Sequence, residues 1–140
     1  MLYNFIFKNI LIVTLLILSI VILLIIEIKL FFDSKNSITI NDVLNLINNN
    51  TGIIIDIRHI NQFNESHILS SINIPYNKIV NNFNLIKKHK NKVIIILAET
   101  DSEAQKCIHI IKKNSLGNVR YIANGIKSWK KNDMPTISIK

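Results

Sequence analysis

Residues 10–26 read Ile-Leu-Ile-Val-Thr-Leu-Leu-Ile-Leu-Ser-Ile-Val-Ile-Leu-Leu-Ile-Ile, uninterrupted by charge. As a helix rising 1.5 Å per residue, this run covers about 26 Å, and the apolar residues 5–7 and 28–32 carry it past the roughly 30 Å of bilayer hydrocarbon. Tyr3, Phe5, Phe7, Phe31 and Phe32 flank it as interfacial aromatics do. A cleaved signal peptide would need small residues in an A-x-A-like pattern, yet no Ala precedes Ala98 and no Cys is placed for lipid attachment. The other rival is a helix buried in a soluble core. The expectation is a single-pass membrane anchor over 1–32, with a polar linker over 33–37 too short to let the soluble part wander far from the bilayer. Lys8 stands before the span and Lys29 and Lys35 after it, while Glu27 and Asp33 count little for orientation. The lean is to a soluble part on the cytoplasmic side of the inner (cytoplasmic) membrane.

A chain of 140 residues has room for one domain beside such an anchor. Roughly a quarter of the residues are Ile and about one in seven is Asn, a bias expected of A/T-rich codons. The net charge of +8 therefore says less about partners than it would elsewhere. It suits anionic lipid or nucleic acid, but outside residues 87–92 the lysines are scattered and lack interleaved aromatics, so no nucleic-acid partner is expected. Cys107 is the single cysteine. It excludes an internal disulfide framework and any C-x-x-C metal site, and it fits a reducing compartment.

After the linker, Thr39 with Asp42 reads as a capping box opening a short helix whose apolar face is Val43, Leu44, Leu46 and Ile47. Residues 53–57 read as a buried strand. A shorter one at 71–75 is closed by Pro75, and 83–89 reads as a weak helix. The five apolar residues Val93-Ile94-Ile95-Ile96-Leu97 read as a strand buried on both faces, followed by a polar loop and then a helix bearing Ile108, Ile110 and Ile111. Residues 119–122 give another strand, and 125–131 a last helix with Ile126 and Trp129 on one face. Strands alternating with helices imply an α/β domain with a parallel sheet and right-handed crossovers. In such sheets ligands bind at the carboxyl ends of strands, which places any chemistry in the loop after Leu97. That loop, Ala98-Glu99-Thr100-Asp101-Ser102-Glu103-Ala104, contains no Cys, no Gly and no basic residue.

These residues resemble the rhodanese (sulfurtransferase) domain family over about residues 38–135. Asp56-Ile57-Arg58 looks like its D-x-R at a strand end. Glu65-Ser66-His67-Ile68 with Ser70-Ser71-Ile72-Asn73-Ile74-Pro75 looks like G-H-I-x-G-A-I-N-I-P with both glycines replaced. Asn124-Gly125-Ile126-Lys127-Ser128-Trp129, with Asp133-Met134-Pro135, looks like its G-G-x-x-x-W…x-x-P ending. The resemblance is closest to the YibN-type subgroup, in which a rhodanese-like domain follows one membrane helix and lacks the standard active-site sequence. It implies a small parallel sheet with helices on both faces over 38–140, with Asp56, Arg58, His67, Pro75, Gly125 and Trp129 in structural roles.

The resemblance also implies where a nucleophile would sit. Rhodanese enzymes place a Cys first after the central strand, in a C-x-x-G-x-R-[ST]-like loop whose amides, helix N-terminus and cation stabilise thiolate and persulfide. By position the Cys corresponds to Ala98, the Gly to Asp101, the Arg to Glu103 and the Ser/Thr to Ala104. Three carboxylates would raise a neighbouring thiol's pKa and repel an anionic sulfur donor. The expectation is thus a domain without the catalytic cysteine, needing no cofactor and no metal. It would act as an interaction or scaffolding module for a membrane-protein or membrane-assembly partner, its acidic loop meeting a basic or polar segment. The alternative is a sulfur carrier working through Cys107, or in trans with another thiol protein. Cys107 reads as a buried, inert thiol more than two turns into its helix. His67 and His109 form no metal constellation with it.

Overall fold

The computed structural model describes residues 8–139, and of residues 29–34 the backbone alone. The aromatic flank at residues 3–7 and the side chains of Lys29, Phe31, Phe32 and Asp33 lie outside the described residues. The chain divides into two compact units, Met1–Lys35 and Asn36–Lys140.

In the first unit, helix α1 (Ile10–Ser34) contains a stretch, Ile10–Ile28, long and apolar enough to cross a membrane, and none of it is buried against protein. The hydroxyls of its Thr14 and Ser19 donate to the carbonyls of Leu11 and Leu16 at 2.9 and 2.7 Å. Both polar groups are thereby satisfied inside the helix, which is what an apolar surrounding demands.

The second unit is built on one sheet of β1 (Ser37–Ile38), β2 (Gly52–Asp56), β3 (Ile72–Asn73), β4 (Val93–Leu97) and β5 (Val119–Ile122). The strands lie in the order β1-β5-β4-β2-β3, and every pairing is parallel. Between them run α2 (Ile40–Asn48), α3 (Ile60–Glu65), α4 (Tyr76–Asn81), α5 (Asn84–Lys87) and α6 (Asp101–Lys113), with α7 (Gly125–Lys131) after β5. The α/β class and the parallel sheet expected from the sequence are borne out.

The central strand shows why an unbroken apolar run was needed. Ile94 and Ile96 pack on one side against Cys107, Ile108 and Ile111 of α6, and Ile95 and Leu97 on the other against Val43 of α2 and Trp129 of α7. With both faces covered, neither alternate set of side chains can be polar. Thr39 caps α2 as expected, its hydroxyl oxygen accepting from Asp42 N–H at 3.2 Å. The reciprocal half differs, because the Asp42 carboxylate accepts the Thr39 hydroxyl at 2.7 Å.

Other boundaries moved. Ser37, assigned to the linker, already forms β1, and α1 continues to Ser34, so Lys35 and Asn36 alone separate the two. The strand expected over 71–75 is two residues long, although Ile74 N–H still donates to Asp56 O and Tyr76 N–H to Ile57 O. The weak helix of 83–89 contracts to α5, and α3 and α4 were not anticipated.

Candidate functional site

The sheet's carboxyl edge collects the segments that follow β2, β3, β4 and β5. A cleft of about 470 Å³ opens there, lined by Ile57, Arg58, His59, Gln62, Pro75, Tyr76, Asn77, Glu99, Glu103 and Lys106. It is the position the strand–loop–helix reading pointed to.

Its floor is an ion pair. Asp56 ends β2 fully buried, and Arg58 returns onto it: Nε lies 3.0 and 3.1 Å from the two carboxylate oxygens and Nη2 2.6 Å from Oδ2. Arg58 N–H also donates to Oδ1 at 3.0 Å, and Nη2 to the Ser66 carbonyl at 2.8 Å. Asn73 Nδ2 donates to the carbonyls of both Asp56 and Arg58 at 3.0 Å. A buried charge pair needs this completeness of hydrogen bonding, and a guanidinium so engaged has little left to offer a ligand. His67 closes the same corner. Its Nδ1 lies 2.8 Å from the Phe63 carbonyl and therefore carries the proton, while the ring stacks on Phe63 at 3.9 Å between centroids. Its backbone exchanges two hydrogen bonds with Ile137, binding the C-terminal segment.

Along the rim runs the loop after β4. Ala98 is 3 % exposed. Gly125, at φ +52°, sits so close above it that a Cβ there would fall 2.2 Å from the Ala98 carbonyl oxygen, so only glycine fits. Thr100 caps α6, its hydroxyl accepting from Glu103 N–H at 3.3 Å. The Asp101 carboxylate accepts from Asn124 N–H at 2.7 Å, tying the loop to the turn before α7. Glu99 accepts from Gln62 Nε2 at 2.8 Å, bridging the loop to α3. No residue from Ala98 to Ala104 takes a positive φ. The glycine of the family loop is thus not required at 101, where Asp begins the helix with its charge at the favourable end of the dipole. Ser102 and Glu103 are exposed, and Ala104 is buried under the sheet.

Trp129 is buried in the core beneath α7, with Nε1 donating to the Pro135 carbonyl at 2.9 Å. Pro75 caps α4 and lines the cleft. Cys107 lies away from the cleft, fully buried among Ile residues, and burial pushes its thiol up to about 12. His109 is exposed on the outer face of α6. Among the described residues no group of three or more His, Cys, Asp or Glu converges as metal ligands would.

Sequence reasoning missed Gln62, Tyr76 and Lys106. The first two stand on unanticipated helices. Lys106, one turn beyond Glu103, gives the cleft a cation where the loop itself has none. The Asn124–Asp101 link had one visible signal, since Asn124-Gly125 is a dipeptide suited to positive φ, and both residues adopt it.

The model of the Rhodanese-like domain family matches residues 39–132. A protein of Buchnera aphidicola subsp. Schizaphis graminum is 35% identical over 129 residues, covering 86% of each chain. YibN of Escherichia coli strain K12 is 27% identical over 101 residues, covering 71% of each. Among solved structures, the BH2092 protein of Bacillus halodurans superimposes with a TM-score of 0.64 at 25% identity, over 80% of this chain and 84% of that one. With its parallel sheet, its Asp56–Arg58 pair and its Gly125–Trp129 helix, the chain belongs to the rhodanese-like domain family.

Proposed function

We propose that this protein is a membrane-anchored, non-catalytic member of the family, whose cleft binds a segment of another membrane protein. One observation carries the reading: the residue that begins the loop after β4 is Ala98, and the chain's single thiol is nine positions further on, inside the core. Sulfur transfer by the family's route needs a thiolate at the mouth of the cleft. There, an alanine methyl offers no nucleophile, and Glu99 and Glu103 replace the cationic surroundings that hold a persulfide. The cleft that remains is open and lined by two carboxylates, amides, a phenol, His59, the ion-paired Arg58 and Lys106. It suits a peptide segment carrying a cation and backbone amides. The apolar Ile10–Ile28 stretch supports the anchor, and a segment of a neighbour in the same membrane is the occupant such an anchor would bring within reach.

A photocrosslinking residue in place of the exposed Asn77, at the cleft's edge, tests this in native membranes. The expected result is one defined membrane protein captured, and lost in the Glu99→Gln, Glu103→Gln variant. Asp101 is left intact because it holds the loop to Asn124. Capture unchanged by the double substitution would move binding away from the cleft.

A further inference from the structure

The opposite edge of the sheet takes no part in the cleft, and where the cleft sets Glu99 and Glu103 beside Arg58 and Lys106, this edge carries lysines without acids. Strands β2, β4 and β5 begin there, drawn together as Val93 N–H donates to Thr51 O at 2.8 Å and Ile94 N–H to Asn118 O at 3.0 Å. Parallel β1 begins higher in the sheet, with Ser37 level with Tyr121 and Ile96, and Lys112 reaches up from this edge to the Asn36 side chain that precedes it. Helices α5 and α6 end there. Lys87, Lys88, Lys90 and Lys92 therefore meet Lys112 and Lys113. Residues 49–51, 87–92 and 112–118, which make up this edge, include no Asp or Glu.

Where these lysines do bond, they bond to neutral atoms: Lys92 Nζ to Asn50 Oδ1 at 2.7 Å and Lys112 Nζ to Asn36 Oδ1 at 2.6 Å. Their charge is left uncancelled. His89 registers it, its imidazole held below the usual range by burial and then by Lys88 and Lys92. Helix C-termini account for Lys87, Lys88, the C-cap of α5, Lys112 and Lys113, but not for Lys90 and Lys92. Between the 90–92 and 115–118 loops lies a hollow of about 300 Å³, lined by Lys90, Lys92, Ser115 and Asn118 among others, the donor types a phosphodiester takes.

We infer that this lysine edge is a docking surface for the headgroups of anionic phospholipids. The position of Asn36 argues for lipid over any other polyanion. Its side chain is bonded by Lys112 of this edge and it follows the last residue of α1 by two positions, so the chain that would leave a bilayer enters the domain at a residue the lysine patch itself holds. A bilayer whose surface is negative attracts such a patch within a Debye length.

The test uses the full chain in vesicles of phosphatidylcholine alone and of phosphatidylcholine with phosphatidylglycerol, with lysine acetylation rates read site by site by mass spectrometry. Acetylation at Lys88, Lys90 and Lys113 should slow about threefold or more in the anionic vesicles at low salt and recover in high salt. Lys106 at the cleft is the internal control and should not change. In Lys88→Gln, Lys90→Gln protein the slowing at Lys113 should shrink. Equal rates in the two lipids, or equal slowing at Lys106, would overturn the docking surface. Flotation with neutral vesicles in high salt reads the anchor separately. If the chain fails to float, the span reading falls, while the acetylation ratio with added anionic vesicles still decides the lysine edge.

Discussion

The two edges of the same sheet hold their charges in opposite ways. At the carboxyl edge every named acid of the site except Glu103 has a fixed partner: Asp56 holds Arg58, Glu99 takes Gln62, and Asp101 takes the Asn124 amide. At the amino edge six lysines stand without a carboxylate in their segments, on turns and helix ends. Charge at the first edge builds geometry; charge at the second builds a field. Geometry of the first kind is costly to disturb, and a field of the second kind is nearly free to remove.

That contrast can be broken by denaturant titration of the full chain in detergent, read by the fluorescence of Trp129, the single tryptophan. The largest loss is expected for Asp56→Ala, about 3–5 kcal/mol, because the Arg58 guanidinium, 6 % exposed, is left buried without its counter-charge. A loss under 1 kcal/mol would mean that the floor of the cleft is plastic. Next comes Gly125→Ala at about 2–3 kcal/mol, since the added Cβ meets the Ala98 carbonyl on a backbone of positive φ. Thr100→Ala removes the cap of α6 at about 1 kcal/mol. At the other edge, Lys88→Gln with Lys90→Gln should stay within about 0.5 kcal/mol of the parent. A large cost there would make those lysines structural and erase the distinction.

How legible each element was in the sequence depends on how much of it is decided locally. Strands β2 and β4 are buried on both faces and must be apolar throughout, so they stood out. Helix α6 was marked by apolar spacing, and Gly125–Lys131 by its glycine and tryptophan. Strand β1 was missed because two residues carry no pattern; Ser37 and Ile38 are extended only because β5 lies beside them. Helices α3 and α4 each bury a single apolar side chain, Phe63 and Ile79, which leaves no period to detect. The loop at Ala98 was located correctly because strand-end position alone decides it. Its partners Gln62, Lys106 and Asn124 come from other elements, and no spacing within the loop announces them.

Cys107 decides the central claim most directly. With its thiol fully buried and its ionisation displaced to about 12, almost no thiolate exists near neutral pH. The stability that this burial carries is complete below the ordinary value of 9.0 and is lost as pH rises toward 12. The native full-length protein should therefore be incubated with thiosulfate near pH 8 and its mass determined. The account predicts no added sulfur, and a Cys107 that reacts with maleimide only once denaturant has unfolded the domain. A reducible persulfide on native Cys107, absent from Cys107→Ser, would contradict it and return the protein to the sulfur carriers.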